Sequence, residues 1–86
     1  MSLANKVIVF MHFPILRKTV ECSLLREESF QDNLKKLWLL MEKEDGLYYR
    51  FSGKERVFEK ETMIEYDTAV PLSSLQIENS MSFLVY

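Results

Sequence analysis

The spacing of apolar residues along this chain changes several times, and each change marks an element. Lys6 to Phe13 is β-rich, with Val, Ile, Val, Phe and Met in near-continuous run. Pro14 ends it, because proline has no N–H to give to a ladder. Arg17 to Leu25 alternates instead. Thr19, Glu21 and Ser23 fall on one side and Val20, Cys22 and Leu24 on the other, the pattern of a strand with one wet face. With Pro14-Ile15-Leu16 between them, the two segments predict a hairpin.

From Ser29 the period lengthens. Phe30, Leu34, Leu37, Trp38 and Met41 recur at helical spacing and share one face, while Asp32, Lys35, Lys36 and Lys43 lie largely off it. Ser29 followed by Asp32 is a weaker form of the capping box, and Asp45-Gly46 supplies a stop. Leu47 to Phe51 then predicts a third strand, with Tyr49 and Phe51 on one face and Tyr48 and Arg50 on the other. Ser52-Gly53 turns the chain, and Val57-Phe58 predicts a short fourth strand. Near the end, Leu72 and Leu75 predict a helical turn and Glu78 to Ser80 a tight polar turn. The final strand points Met81, Phe83 and Val85 inward. The order is β-β-α-β-β-β. An apolar helix face must be buried, and one face of the sheet is available for it.

Composition narrows the classes. Eighty-six residues, 48% of them hydrophobic, suit a single domain over residues 1–86 with a modest core. The net charge of −2 and the absence of a basic stripe argue against nucleic acid as a partner. The longest apolar run, Val7 to Met11, is too short to span a bilayer, so no direct membrane insertion is expected. It also lacks the flanks of a signal peptide, and a lone Cys22 permits no internal disulfide; a cytoplasmic location is expected.

Candidate chemistry is sparse. The single His12 and the single Cys22 lie on adjacent strands of the hairpin but on opposite faces, so a Cys–His pair is not expected. A buried Cys acting as a small hydrophobe is the commoner case. One His and one Cys cannot complete a zinc site, no Asp-x-Asp-x-Asp loop occurs, and two glycines leave no phosphate-binding loop. No catalytic, metal or cofactor-binding residues are assigned, and no enzymatic activity is expected.

Two segments carry a resemblance. Tyr49-Arg-Phe-Ser-Gly-Lys54 is similar to ubiquitin's third strand running into a Phe-Ala-Gly-Lys turn. Leu72 to Ile77 before the last strand is similar to ubiquitin's Leu-Ser-Asp-Tyr-Asn-Ile turn. Asn33-Leu-Lys-Lys-Leu37 followed by Glu44-Asp-Gly46 matches the spacing of ubiquitin's helix and its closing Lys-Glu-Gly. The resemblance covers most of the chain and implies an α+β fold, the ubiquitin-like β-grasp: a mixed sheet of four to five strands packed on one helix. The segment between Lys54 and Pro71 is longer than its ubiquitin counterpart, and Thr62-Met-Ile-Glu-Tyr66 is a rival for the turn; Leu72 to Ile77 is preferred because it abuts the last strand. At least one of Met63, Ile64 and Tyr66 is expected to pack inward. Ubiquitin acts through a flexible diglycine tail, whereas Phe83-Leu-Val-Tyr86 is bulky. The expectation is a protein that neither conjugates nor carries sulfur. In size, element order and its bare last strand, the chain resembles the bacterial YukD/EsaB group, which implies accessory contacts with type VII secretion machinery and no catalysis. A docking or regulatory ubiquitin-like domain of a larger protein is the alternative.

One surface stands out. If Val7, Val9, Met11 and Phe13 fill the core, then Ile8, Phe10 and His12 face the other way. By the β-grasp strand order, Tyr48, Arg50, Leu84 and Tyr86 share that face. These seven residues are the candidate protein-binding site, for a protein partner or a second copy of the chain. The competing arrangement has the 55–70 insert folding over them. Leu39, opposite the helix's apolar face, is expected to be exposed.

Overall fold

The computed structural model describes residues 5–45 and 51–86. Two long strands open it, β1 (Lys6–Phe13) and β2 (Lys18–Leu25), joined by a 3-10 turn over Pro14–Leu16. Arg17 closes that turn in the left-handed region, at φ 50°. The helix α1 (Phe30–Asp45) follows, then β3 (Val57–Glu59), β4 (Glu65–Tyr66), a 3-10 turn at Leu72–Ser74 and β5 (Ser82–Val85). The strands form one five-stranded sheet in the order β2-β1-β5-β3-β4. β1 and β5 are parallel and the other pairs antiparallel.

Alternation decides the two faces. Val7, Val9, Met11 and Phe13 are buried, and so are Val57, Phe83 and Val85 from the central strands. Against them α1 lays Phe30, Leu34, Trp38 and Met41, all buried, with Leu37 at the margin. Fully burying such a side chain is worth about 1.5–3 kcal/mol, so this seam dominates the fold. Edge-to-face aromatic pairs knit it: Phe30 with Phe83 at 5.2 Å and Phe13 with Trp38 at 5.6 Å between ring centroids. Ser29 caps the helix, its Oγ accepting from the Asp32 N–H at 3.0 Å. Gly53 sits at φ +80°, where a side chain would be strained.

One strand assignment is corrected. The neighbour of the last strand is Val57–Glu59, with β4 beyond it, so the segment read as the fourth strand holds the third strand's place. Most of the expected strand from Leu47 to Phe51 lies outside the described residues, as does Gly46. Phe51 is described: it is half-buried, in no strand, and packs against Trp38 at 6.0 Å. The preferred reading of the C-terminal turn holds, for Leu72 and Ile77 are both buried beneath it. Of the three undecided insert residues Tyr66 packs inward on Phe30 and Phe83, while Met63 and Ile64 are exposed.

Candidate protein-binding face

The outer face of the sheet is set by register. Opposite His12 stands Thr19 on β2 and Leu84 on β5; opposite Leu84 stands Phe58 on β3, and opposite Phe58 stands Glu65 on β4. One row therefore runs Thr19, His12, Leu84, Phe58, Glu65 across all five strands. The adjacent row carries Glu21, Phe10 and Ser82. Ile8 and Tyr86, at the two ends, are each 49% exposed, and Phe10, His12, Leu84 and Phe58 are half-buried against one another. Five of the seven sequence-predicted residues thus come together here. Tyr48 and Arg50 lie outside the described residues.

The insert contributes to this face rather than lying across it. It supplies β3 and β4, and with them Arg56, Phe58 and Glu65. The Phe58 ring packs edge-on against Tyr86 at 5.9 Å, and the Arg56 guanidinium lies over Phe58 at 5.1 Å. Arg56 also donates twice to the Glu65 carboxylate, at 2.8 and 2.9 Å. That bidentate pair raises the Arg56 pKa and lowers that of Glu65. Both partners are solvated, so the pair orients the guanidinium more than it stabilises the fold. Sequence reasoning missed these three residues because it gave Val57-Phe58 an outer place and read Glu65 within the insert. The alternation of Arg56, Val57 and Phe58 was the available signal.

His12 is the polar group at the centre. Its Nδ1 is hydrogen-bonded to Thr19 Oγ1 at 2.9 Å, and its Nε2 is shut off from solvent with no hydrogen-bond partner among the described residues. Burial, then the positive charge of Lys60, lowers its pKa below 6.5, favouring the neutral ring. A neutral imidazole amid Leu and Phe side chains lets the patch behave as an apolar surface.

Elsewhere the chemistry is quiet. Cys22 and His12 do lie on opposite faces: Cys22 is half-buried toward the helix. Burial and the Glu21 charge push its thiol up to about 11, the reverse of an activated nucleophile. Among the described residues no three His, Cys, Asp or Glu side chains gather as a metal site requires, and no helix is long and apolar enough to cross a membrane. Leu39 is 59% exposed, and Leu40 beside it, which the sequence did not single out, is 57% exposed.

Comparison with known proteins places this geometry. No family model and no curated protein matches the chain. Solved structures do. The solution structure of the ubiquitin-like domain of an Arabidopsis thaliana protein aligns over 100% of this chain and 81% of its own, at 18% identity and a TM-score of 0.67. A second structure of that protein, combining evolutionary couplings with sparse NMR data, covers 99% and 89% at 19% identity and TM-score 0.67. A de novo design based on ubiquitin covers 96% and 89% at 10% identity and TM-score 0.63. At such identities the likeness is one of fold, and the fold of this chain is the ubiquitin-like β-grasp.

Proposed function

We propose that this chain is a non-conjugating, non-enzymatic protein-interaction module that binds its partner through the outer face of the sheet, with Ile8, Phe10, His12, Leu84 and Tyr86 as contacts, joined by Phe58. Tyr48 and Arg50 reached this face only through the premise that residues 47–51 neighbour the last strand, a place that Val57–Glu59 holds, so they are left out of the site. The observation behind this reading is that the central strands are apolar on both faces, although one face already fills the core. Tyr86 is held in the ladder by paired backbone bonds with Arg56, at 2.8 and 2.9 Å, which fixes its place at the edge of the outer face. We read residues 1–86 as one ubiquitin-like domain acting in the cytoplasm. The resemblance to the YukD/EsaB group supports a role as an accessory of bacterial type VII secretion; a docking domain of a larger protein is the second reading.

The test is a cross-linked pull-down from the native host, wild type beside Phe10→Asp, read by mass spectrometry. Phe10 is half-buried on the outer face, so the variant is expected to fold and to lose the partner. Secretion ATPase or membrane components recovered only by wild type support both the face and the secretion role. Equal recovery by the two proteins refutes the face.

A further inference from the structure

Among the described residues β2 is an edge strand of the sheet, and its hydrogen-bond parity shows which backbone groups are open. The Arg26 N–H donates to the Asn5 carbonyl at 2.7 Å, in register with the β1–β2 ladder. Counting back in twos, Leu24, Cys22, Val20 and Lys18 turn their N–H and C=O groups to β1. In an antiparallel pair the alternate residues turn theirs away, and these are Leu25, Ser23, Glu21 and Thr19. At Leu25 one side-chain amide takes both outward groups. The Leu25 N–H donates to Asn33 Oδ1 at 2.9 Å, and Asn33 Nδ2 donates to the Leu25 carbonyl at 3.0 Å. This is the two-bond exchange a neighbouring strand would make, supplied from the helix. At Ser23, Glu21 and Thr19 no described residue plays that part.

Beside those three open positions runs a groove between β2 and α1, about 550 Å³ in volume. Val20, Cys22 and Leu24 form its sheet wall, and Leu37 and the largely exposed Leu40 its helix wall. An eight-residue edge without proline or bulge, over an apolar trough, is the geometry that receives an added strand. Its charges discriminate among occupants. Lys36 is engaged by Glu28 at 2.7 Å, and Lys6 stands at the end Asn33 has already closed. Along the open stretch the charges without a partner among the described residues are Glu21 and, at the helix end, Glu44. A second copy fits poorly. The antiparallel self-pairing that uses all three open residues sets Glu21 against its own copy, and like charges directly opposite are destabilising. Moving the register by one step in either direction loses a pairing position or runs the strand into Asn33.

We propose that this edge binds an extended, basic segment of another protein. The segment adds as a further strand beside β2 at Thr19, Glu21 and Ser23. It lays alternate apolar side chains on Leu37 and Leu40, and sets a Lys or Arg opposite Glu21. This site meets the outer face at Glu21, on the rim of both, while its apolar trough lies on the opposite side of the sheet.

The probe is the blocked peptide Thr-Val-Lys-Val-Lys-Val-Thr, titrated into the isotope-labelled protein and followed by NMR. Binding is expected to slow amide exchange at Thr19, Glu21 and Ser23 and to shift the Leu37 and Leu40 methyls, up to roughly millimolar peptide. Leu40→Asp, on an exposed site that leaves the core intact, is expected to weaken it about tenfold by placing a charge in the trough. Glu21→Lys should weaken it about threefold or more. The same peptide N-methylated at the pairing residues should not bind. Three results overturn the proposal: no binding at millimolar peptide; shifts confined to Ile8, Phe10 and Tyr86; or a dimer of the protein alone that protects the same edge amides.

Discussion

Asn33 offers the sharpest test of how this fold is held, because a polar side chain there sits 5% exposed within an apolar seam. Its side chain makes three hydrogen bonds: it accepts from the Leu25 N–H and donates to the Leu25 and Ser29 carbonyls. Asn33→Ala removes all three. At about 0.5–1.5 kcal/mol net for each bond the loss is substantial, but two corrections reduce it. The Leu25 groups border the open groove, so water can reach them, and Ala is the better helix former by up to about 0.7 kcal/mol. The expected destabilisation is about 1–3 kcal/mol, or a fall in Tm of roughly 4–24 °C for a domain of this size. Urea denaturation gives the free energy, and amide exchange at Leu25 gives the local effect. Asn33→Asp sharpens the result. It keeps the acceptor for Leu25 N–H but loses both donated bonds and sets a carboxylate against two carbonyls. It should be no better than Ala at neutral pH and should recover as its carboxyl protonates. A change within about 0.5 kcal/mol of wild type for Asn33→Ala, with Leu25 exchanging at its original rate, would refute the claim that this amide closes the edge.

Leu34→Ala, at a site only 1% exposed, should cost about 2–5 kcal/mol in the same urea experiment; an unchanged midpoint would mean α1 does not pack as described. His12 has a folded pKa below 6.5, so the unfolded chain takes the proton first. Its contribution is present above 6.5 and is lost as pH falls toward the folded value. Stability should therefore decline from about pH 7.5 to about pH 5.5 in wild type and stay level in His12→Gln. The window lies above 4.5, where the lowered carboxyls of Glu59 and Glu65 would begin to contribute in the same sense; parallel curves for the two proteins would reject the assignment. With its pKa at about 11 rather than 9, Cys22 should hold about a hundredfold less thiolate than an ordinary Cys, and alkylation of the native protein should be slow until urea exposes it. Equal native and unfolded rates would contradict that.

Long periodic segments were legible in the sequence and short ones were not. β1 and β2 each run eight residues, long enough for alternation to separate Val7, Val9 and Met11 from Ile8, Phe10 and His12. The helix repeats its apolar step from Phe30 to Met41, and Ser29 stands at its start as expected. β3 has three residues and β4 two, too few for a period to show. A short alternation over residues 47–51 and its likeness to ubiquitin's third strand before a Gly turn drew the third-strand assignment there, and the strand beside β5 proved to be Val57–Glu59. The Asn33 clamp left a trace that went unread. Residue 33 lies three after Phe30 and four before Leu37, so it falls on the buried stripe, where a polar residue calls for a partner. The same spacing continued through Leu37, Leu40 and Glu44 gives the helix wall of the groove.

The outer face has a composition that incomplete burial does not explain. A sheet with one face in water usually sets polar residues on that face, and β2 does so with Thr19, Glu21 and Ser23. Central β1 sets Ile8 and Phe10 there instead, β5 adds Leu84, and β3 adds Phe58. Among the described residues charge lies toward the margins, with Glu21 on β2, Glu65 on β4, Lys60 just past β3 and Arg56 folded over Phe58. An apolar and aromatic centre within a charged rim is the anatomy of an interface rather than of a solvated sheet. Centre and rim should then respond differently. Phe10→Asp strikes the centre and should act on the dissociation rate. Glu65→Gln frees Arg56 at the rim and should act on the association rate and its dependence on salt. If both changes alter only the association rate, the apolar centre is not where the partner is held.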